Sequence, residues 1–168
     1  MNKMLMRTAV FSPCRTWRYQ LFRQWSWWLP LATFICLNCS TADETQDDPT
    51  VRRCIRYAYD WGYGGLIMTN LFAFRATDPR VMKATPDPVG PKNDWYLKSG
   101  AIQSEIVVAA WGNHGGYRGR SQEVVEFLRQ MEVNLMCLGI TKTGEPKHPL
   151  YLPKNQEVMK YAPIPTNR

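Results

Sequence analysis

Four short apolar runs, Thr33–Leu37, Leu66–Thr69, Glu105–Ala110 and Leu135–Leu138, punctuate this 168-residue chain, with helix-forming segments between them. Such alternation implies crossover connections, a parallel sheet and helices on both faces. Thr33–Leu37 is continuously apolar, as expected of a strand buried on both sides. The expected fold is α/β, a three-layer α-β-α arrangement around a short, mainly parallel sheet. In such a sheet the carboxyl ends of the strands share one edge, and ligands bind there.

The segments between the runs carry recognisable punctuation. Thr8–Phe11 and Trp17–Trp25, joined by a turn at Ser12-Pro13, read as an N-terminal hairpin closed by Pro30. Asp48-Pro49-Thr50 is a helix start, with Asp48 as cap and Pro49 where a missing N–H costs nothing. Val51, Cys54, Ile55, Ala58 and Trp61 recur at helical spacing behind it, and Gly62, Gly64 and Gly65 end the helix. Leu71–Lys92 is a long proline-rich connection in which Thr77-Asp78-Pro79 caps one short helical turn. Asn93-Asp94 is expected to cap a helix to about Ser99, and a further helix spans Ser121–Met131. The organisation reads as one domain: a hairpin over 1–30, an α/β core over 31–140 and an irregular tail over 141–168.

The formal charge of +7 favours an anionic partner, a nucleic acid or a nucleotide, over a neutral one. The excess is spread over Arg52, Arg53, Arg56, Arg75, Arg80, Arg118 and Arg120 rather than gathered in a tail. The apolar run Leu29–Leu37 is far shorter than the roughly 20 residues of a membrane span. It also follows too many basic residues to be a signal peptide, so no membrane association and a cytoplasmic location are expected. Five cysteines, three of them in apolar runs or on a helical apolar face, fit a reducing compartment. The spacing of Cys36 and Cys39 lacks the second pair that a zinc or redox site would need. Neither a metal, a cofactor nor a protein partner is expected.

Each strand-like run is followed by a polar motif. Asn38-Cys39-Ser40-Thr41-Ala42-Asp43 offers an amide that can orient a water or a ligand carbonyl, with Asp43 as a candidate acid or base. Asp47 and Asp48 read as capping residues. Asn70 can read the hydrogen-bonding edge of a base, and Arg75 in the same motif is a candidate substrate-binding residue. Phe72 can stack on a base or lie in the core. Trp111-Gly112-Asn113-His114 combines an indole, an imidazole and close backbone approach. His148 lies in the tail; it and His114 are the only two histidines, and either can donate, accept or shuttle a proton. No GxxxxGK[ST] sequence is present, which argues against P-loop triphosphate hydrolysis. Between Arg15 and Trp28 basic and aromatic residues interleave, as in single-strand binders or in an edge hairpin packed on a sheet.

Taken in order, the motifs resemble a family. Leu37-Asn38-x-Ser40-Thr41-Ala42-Asp43, Asp48-Pro49-Thr50-x-Arg52-Arg53-Cys54, Asn70-Leu71-Phe72-Ala73-x-Arg75-Ala76-Thr77-Asp78-Pro79, Trp111-Gly112 and His148-Pro149-Leu150-Tyr151 look like the bacterial and phage domain of unknown function 1643. That family usually has Pro where this chain has Cys39, which predicts a looser turn at Asn38. A more distant similarity is to the uracil-DNA glycosylase superfamily. It implies a water-positioning role for Asn38, base contact by Asn70, stacking by Phe72 and stabilisation of a departing base by His148. With Ser40, Thr41, Arg75, Trp111, Asn113 and His114, these residues would form one site that recognises a nucleobase or nucleotide and can hydrolyse an N-glycosidic bond. The alternatives are binding without catalysis, and a metal-dependent hydrolase using Asp43 or Asp48.

Overall fold

The computed structural model describes residues 3–162. The last six residues of the expected tail lie outside them. In chain order the elements are β1 (Met6–Phe11), β2 (Arg18–Gln24), β3 (Leu31–Cys39), α1 (Pro49–Asp60), β4 (Gly65–Arg75), α2 (Pro79–Ala84) and α3 (Asn93–Gln103). They continue with β5 (Ile106–Ala109), a 3₁₀ segment (Asn113–Gly119), α4 (Arg120–Gln130), β6 (Leu135–Cys137), a 3₁₀ turn (Pro149–Tyr151) and β7 (Met159–Lys160).

All seven strands form one sheet in the order β1-β2-β4-β3-β5-β6-β7. The inner four, β4-β3-β5-β6, are parallel. The outer pairings, β1 with β2, β2 with β4, and β6 with β7, are antiparallel. The sheet is therefore mixed and longer than the short, mainly parallel one expected. Open edges of a parallel core expose a row of unpaired backbone groups. Here the N-terminal hairpin covers one edge through β2, and the tail, irregular by sequence, covers the other through β7.

β3 alternates as a doubly covered strand should. Phe34 and Cys36 pack with Val51, Cys54, Ile55 and Ala58 of α1 on one face. Ile35 and Leu37 pack with Leu97 of α3 and with Val124 and Leu128 of α4 on the other. Asp48 caps α1, accepting from Val51 N–H at 2.9 Å, and Asp78 caps α2, accepting from Arg80 N–H at 2.8 Å. Asn93 departs from its expected capping role. Fully buried, it donates its amide to the carbonyls of Asn70 (2.9 Å) and Leu71 (3.0 Å), pinning α3 to β4, and the helix runs on to Gln103.

The basic-aromatic stretch is mainly structural. Tyr19 and Trp25 are buried, Tyr19 stacked on Tyr96 and the Trp25 indole donating to Tyr63 O, whereas Trp27 and Trp28 are exposed. Arg23 on β2 is also fully buried. Its Nε donates to the Asp47 carboxylate at 2.8 Å, and its remaining nitrogens reach the carbonyls of Thr8, Phe22, Asp43 and Gln46. This fastens the loop between β3 and α1 to the hairpin. Removing one partner of a buried pair strands the other charge, at a cost of about 3–5 kcal/mol. Asp47→Ala should therefore lower the urea midpoint by a corresponding amount. Arg23→Met in the Asp47→Ala background should recover part of that loss in the same unfolding measurement.

Candidate functional site

The sheet has a step in its carboxyl edge. β5 ends at Ala109, opposite Ile35, and β6 ends at Cys137, opposite Ala109. β3 and β4 continue to Cys39 and Arg75. β3 is also where the chain order reverses, since β4 lies on one side of it and β5 on the other. Such a switch point leaves a crevice outside the strand ends. A cleft of about 690 Å³ opens there, floored by Cys36, Leu37 and Asn38. Its walls are the start of α1, residues 76–79, residues 111–114 and residues 148–151.

Asn38 is aimed by two carbonyls. Its Nδ2 donates to Cys39 O at 3.0 Å and to Ala76 O at 2.6 Å. Both amide protons are thus committed and only Oδ1 remains, as an acceptor. Cys39 is tied into the same turn. Its thiol is fully buried within reach of Arg18 O (3.0 Å) and Ala73 O (3.2 Å), and its carbonyl accepts from Ala76 N–H at 2.9 Å. Burial pushes the thiol's pKa up, which keeps it a donor. Asn70 is 1% exposed; its Nδ2 donates to Cys39 Sγ at 3.3 Å, while its Oδ1 has no partner. Asn70 and Phe72 lie inside β4 rather than after it, because the strand runs six residues past the apolar segment seen in the sequence (Thr69 to Arg75).

The segment after β6 folds back to carry His148 into the cleft. Gly112 N–H donates to Pro146 O at 2.9 Å, and Lys147 N–H to Gly139 O at 2.8 Å. The buried Glu145 carboxylate accepts from Trp111 Nε1 at 2.6 Å and from Ser121 Oγ at 2.9 Å. Tyr57 and Arg53 of α1 hold the carbonyls of Pro153 and Leu152. Gly112, at φ +70°, lies against His148, where an added Cβ would meet the His148 Cβ at 3.5 Å. Gly115 sits under Trp111, where a Cβ would fall 2.0 Å from the indole, so that position admits no side chain. His148 Nδ1 accepts from Leu150 N–H at 3.3 Å, which leaves the proton of the neutral ring on Nε2. Burial lowers the His148 pKa, with the Asp48 charge opposing.

Of the residues expected to form the site, Asn38, Ser40, Thr41, Asn70, Trp111, Asn113, His114 and His148 line this one cleft. Three do not. Asp43 is closed into its own turn, its carboxylate accepting from Thr45 and Gln46 N–H, and these bonds hold its pKa down at about 2. Phe72 is core, packed against Tyr117. Arg75 lies in an adjoining groove with Arg15, and Ser40, Thr41, Ala76 and Thr77 line both spaces. Among those in the cleft, Trp111 is 1% exposed and chiefly structural. His114 meets Lys83 Nζ at 3.2 Å, and Asn113 accepts from Thr143 Oγ1 at 2.9 Å. Two lining residues with side chains suited to a ligand, Tyr151 and Arg18, were not among those expected from the sequence. Tyr151 is an exposed ring on the rim that stood in the quoted His148 motif, and Arg18 lies inside with only the basic-aromatic stretch as its signal.

Among the described residues no group of three or more His, Cys, Asp and Glu side chains converges as a metal site. Nor is any helix there long and apolar enough to cross a membrane. Residues 18–150 match the model of a family described as "Protein of unknown function (DUF1643)", and the chain belongs to that family. No curated protein and no solved structure matches the chain.

Histidine resonances in an NMR titration should show His148 as the Nε2–H tautomer, with a pKa below the ordinary value of about 6.5. The sign for stability follows. As pH falls through that value the unfolded chain binds a proton before the folded one, so the stability difference between pH 7 and pH 5 should be larger for wild type than for His148→Gln.

Proposed function

We propose that the cleft recognises a nucleobase or nucleotide and hydrolyses its N-glycosidic bond. The observation that carries this reading is the presence in one cleft of the Asn38 acceptor, the unpartnered Asn70 carbonyl and the neutral His148. In this reading Asn70 Oδ1 accepts an N–H from the base edge. Tyr151, 86% exposed on the rim, supplies the stacking ring in place of Phe72. Asn38 Oδ1 accepts an O–H of the attacking water and turns its lone pair toward the sugar carbon. As the C–N bond breaks, its electron pair leaves with the base, and His148 Nε2–H donates to the base oxygen on which charge builds. The water oxygen bonds to the sugar carbon, its proton passes to solvent, and the base takes up a proton from solvent. Donors aimed at developing charge act most strongly where water is excluded. The similarity of Asn38, Trp111-Gly112-Asn113-His114 and His148-Pro149 to uracil-DNA glycosylase motifs supports the same assignment, as do parallel strands between helices with a cleft at their carboxyl ends.

One observation favours a second reading, binding without catalysis. Neither nearby carboxylate is free to activate water, because Asp43 closes its own turn and Asp48 caps α1. Chromatography of free base released from nucleosides, nucleotides and single-stranded DNA separates the two. Under the first reading Asn38→Ala and His148→Ala each slow release by about 10²–10³ while circular dichroism shows both variants folded at the assay temperature. Under the second no base is released by any variant, and the substitutions change affinity alone.

A further inference from the structure

Two arginines near opposite ends of β2, Arg18 and Arg23, are buried, and they differ in one respect. Arg23, fully buried, uses all three nitrogens and faces the Asp47 carboxylate. Arg18, 2% exposed, gives one N–H to Ala42 O at 2.7 Å, while its Nε has no partner. It takes part in none of the ion pairs formed among the described residues. Arg23 is held by the loop between β3 and α1, whereas Arg18 lines the strand-end cleft together with Asn38, Asn70 and His148. Among the described residues, the one carboxylate lining that cleft, Asp48, accepts from the first turn of α1.

A guanidinium removed from water without a counter-charge is costly, and its fork of N–H groups matches phosphate oxygens. We propose that Arg18 is the seat of a ligand phosphate, and that the cleft takes a nucleoside monophosphate rather than a nucleoside or a strand of nucleic acid. This rests on the base-recognition reading and adds the charged end of the ligand. The depth of Arg18 favours a terminal phosphate, since a phosphodiester would need the strand to enter and leave the floor. A cleft of about 690 Å³ falls within the range of small-molecule sites. The adjoining groove of Arg15 and Arg75 is open and shallow, and Arg15 is already paired with Glu44.

Titration calorimetry with the four deoxynucleosides, their 5′-monophosphates, single-stranded trinucleotides and inorganic phosphate tests this. At least one monophosphate should bind wild type about 10- to 100-fold tighter than its nucleoside and tighter than the trinucleotides. Arg18→Gln should erase that preference, and Arg18→Lys, which keeps the charge without the fork, should retain part of it. Asn70→Ala should weaken nucleoside and monophosphate alike. Equal affinity of wild type for nucleoside and monophosphate, a preference that survives in Arg18→Gln, or tighter binding of the trinucleotides overturns the proposal. Inorganic phosphate binding as tightly as every monophosphate, and only with Arg18 intact, leaves the anion seat standing and removes the base-recognition reading instead. The wild-type comparison decides by itself should Arg18→Gln fail to fold.

Discussion

The site depends on unequal strand lengths at one edge of the sheet. Parallel pairing ties β3 to β5 only as far as Ile35 and Ala109, and the ends of β3 and β4 project beyond it. Without that overhang, polar groups at strand ends would face open solvent from a level rim. With it, Asn38 and Asn70 stand on a ledge against which the loops after β5 and β6 can close. The ledge is itself held by polar bonds. The Asn38 amide bridges Cys39 O and Ala76 O, and Asn93 and Arg120 both grip the Leu71 carbonyl from the far face. Buried amides and guanidinium groups here do the work that a longer neighbouring strand would otherwise do, satisfying backbone carbonyls that have lost their ladder partners.

Much of this was legible in the sequence. The parallel core, the start of α1 at Asp48-Pro49 and the convergence of distant motifs on one edge follow from apolar periodicity and capping chemistry, which are local. The extent of β4 was not legible, because Asn is disfavoured in strands and Asn70 looked like the end of one. That position tolerates Asn because Cys39 and Asn93 engage its side chain and backbone, a tertiary arrangement with no local signature. For the same reason Asn93 read as a cap. Asp43 read as a candidate acid or base because a carboxylate beside Asn38 is chemically apt, yet Asx-turn geometry claimed it first. The burial of Arg18 depends on the loop from 40 to 48 folding over β2, and periodicity within the strand cannot reveal that.

The distribution of charge shows what the basic excess does. Arg56, Arg80 and Arg129 pair with carboxylates close by on their own helices or at a cap, and Arg7 and Arg23 share Asp47. Arg52, Arg53 and Arg118 are drawn to backbone carbonyls. Most guanidinium groups are thus spent on holding loops, and exposed pairs of this kind contribute little either to stability or to long-range attraction. A formal charge of +7 therefore says less about the partner than it first suggests. What discriminates is local. The cleft combines neutral amides, a histidine kept neutral by burial, and one guanidinium without a counter-charge. An environment that holds His148 neutral is the same one that makes an unpaired Arg18 expensive, since both follow from exclusion of water. A ligand that brings one negative group to Arg18 and hydrogen-bonding edges to Asn70 and His148 satisfies both at once.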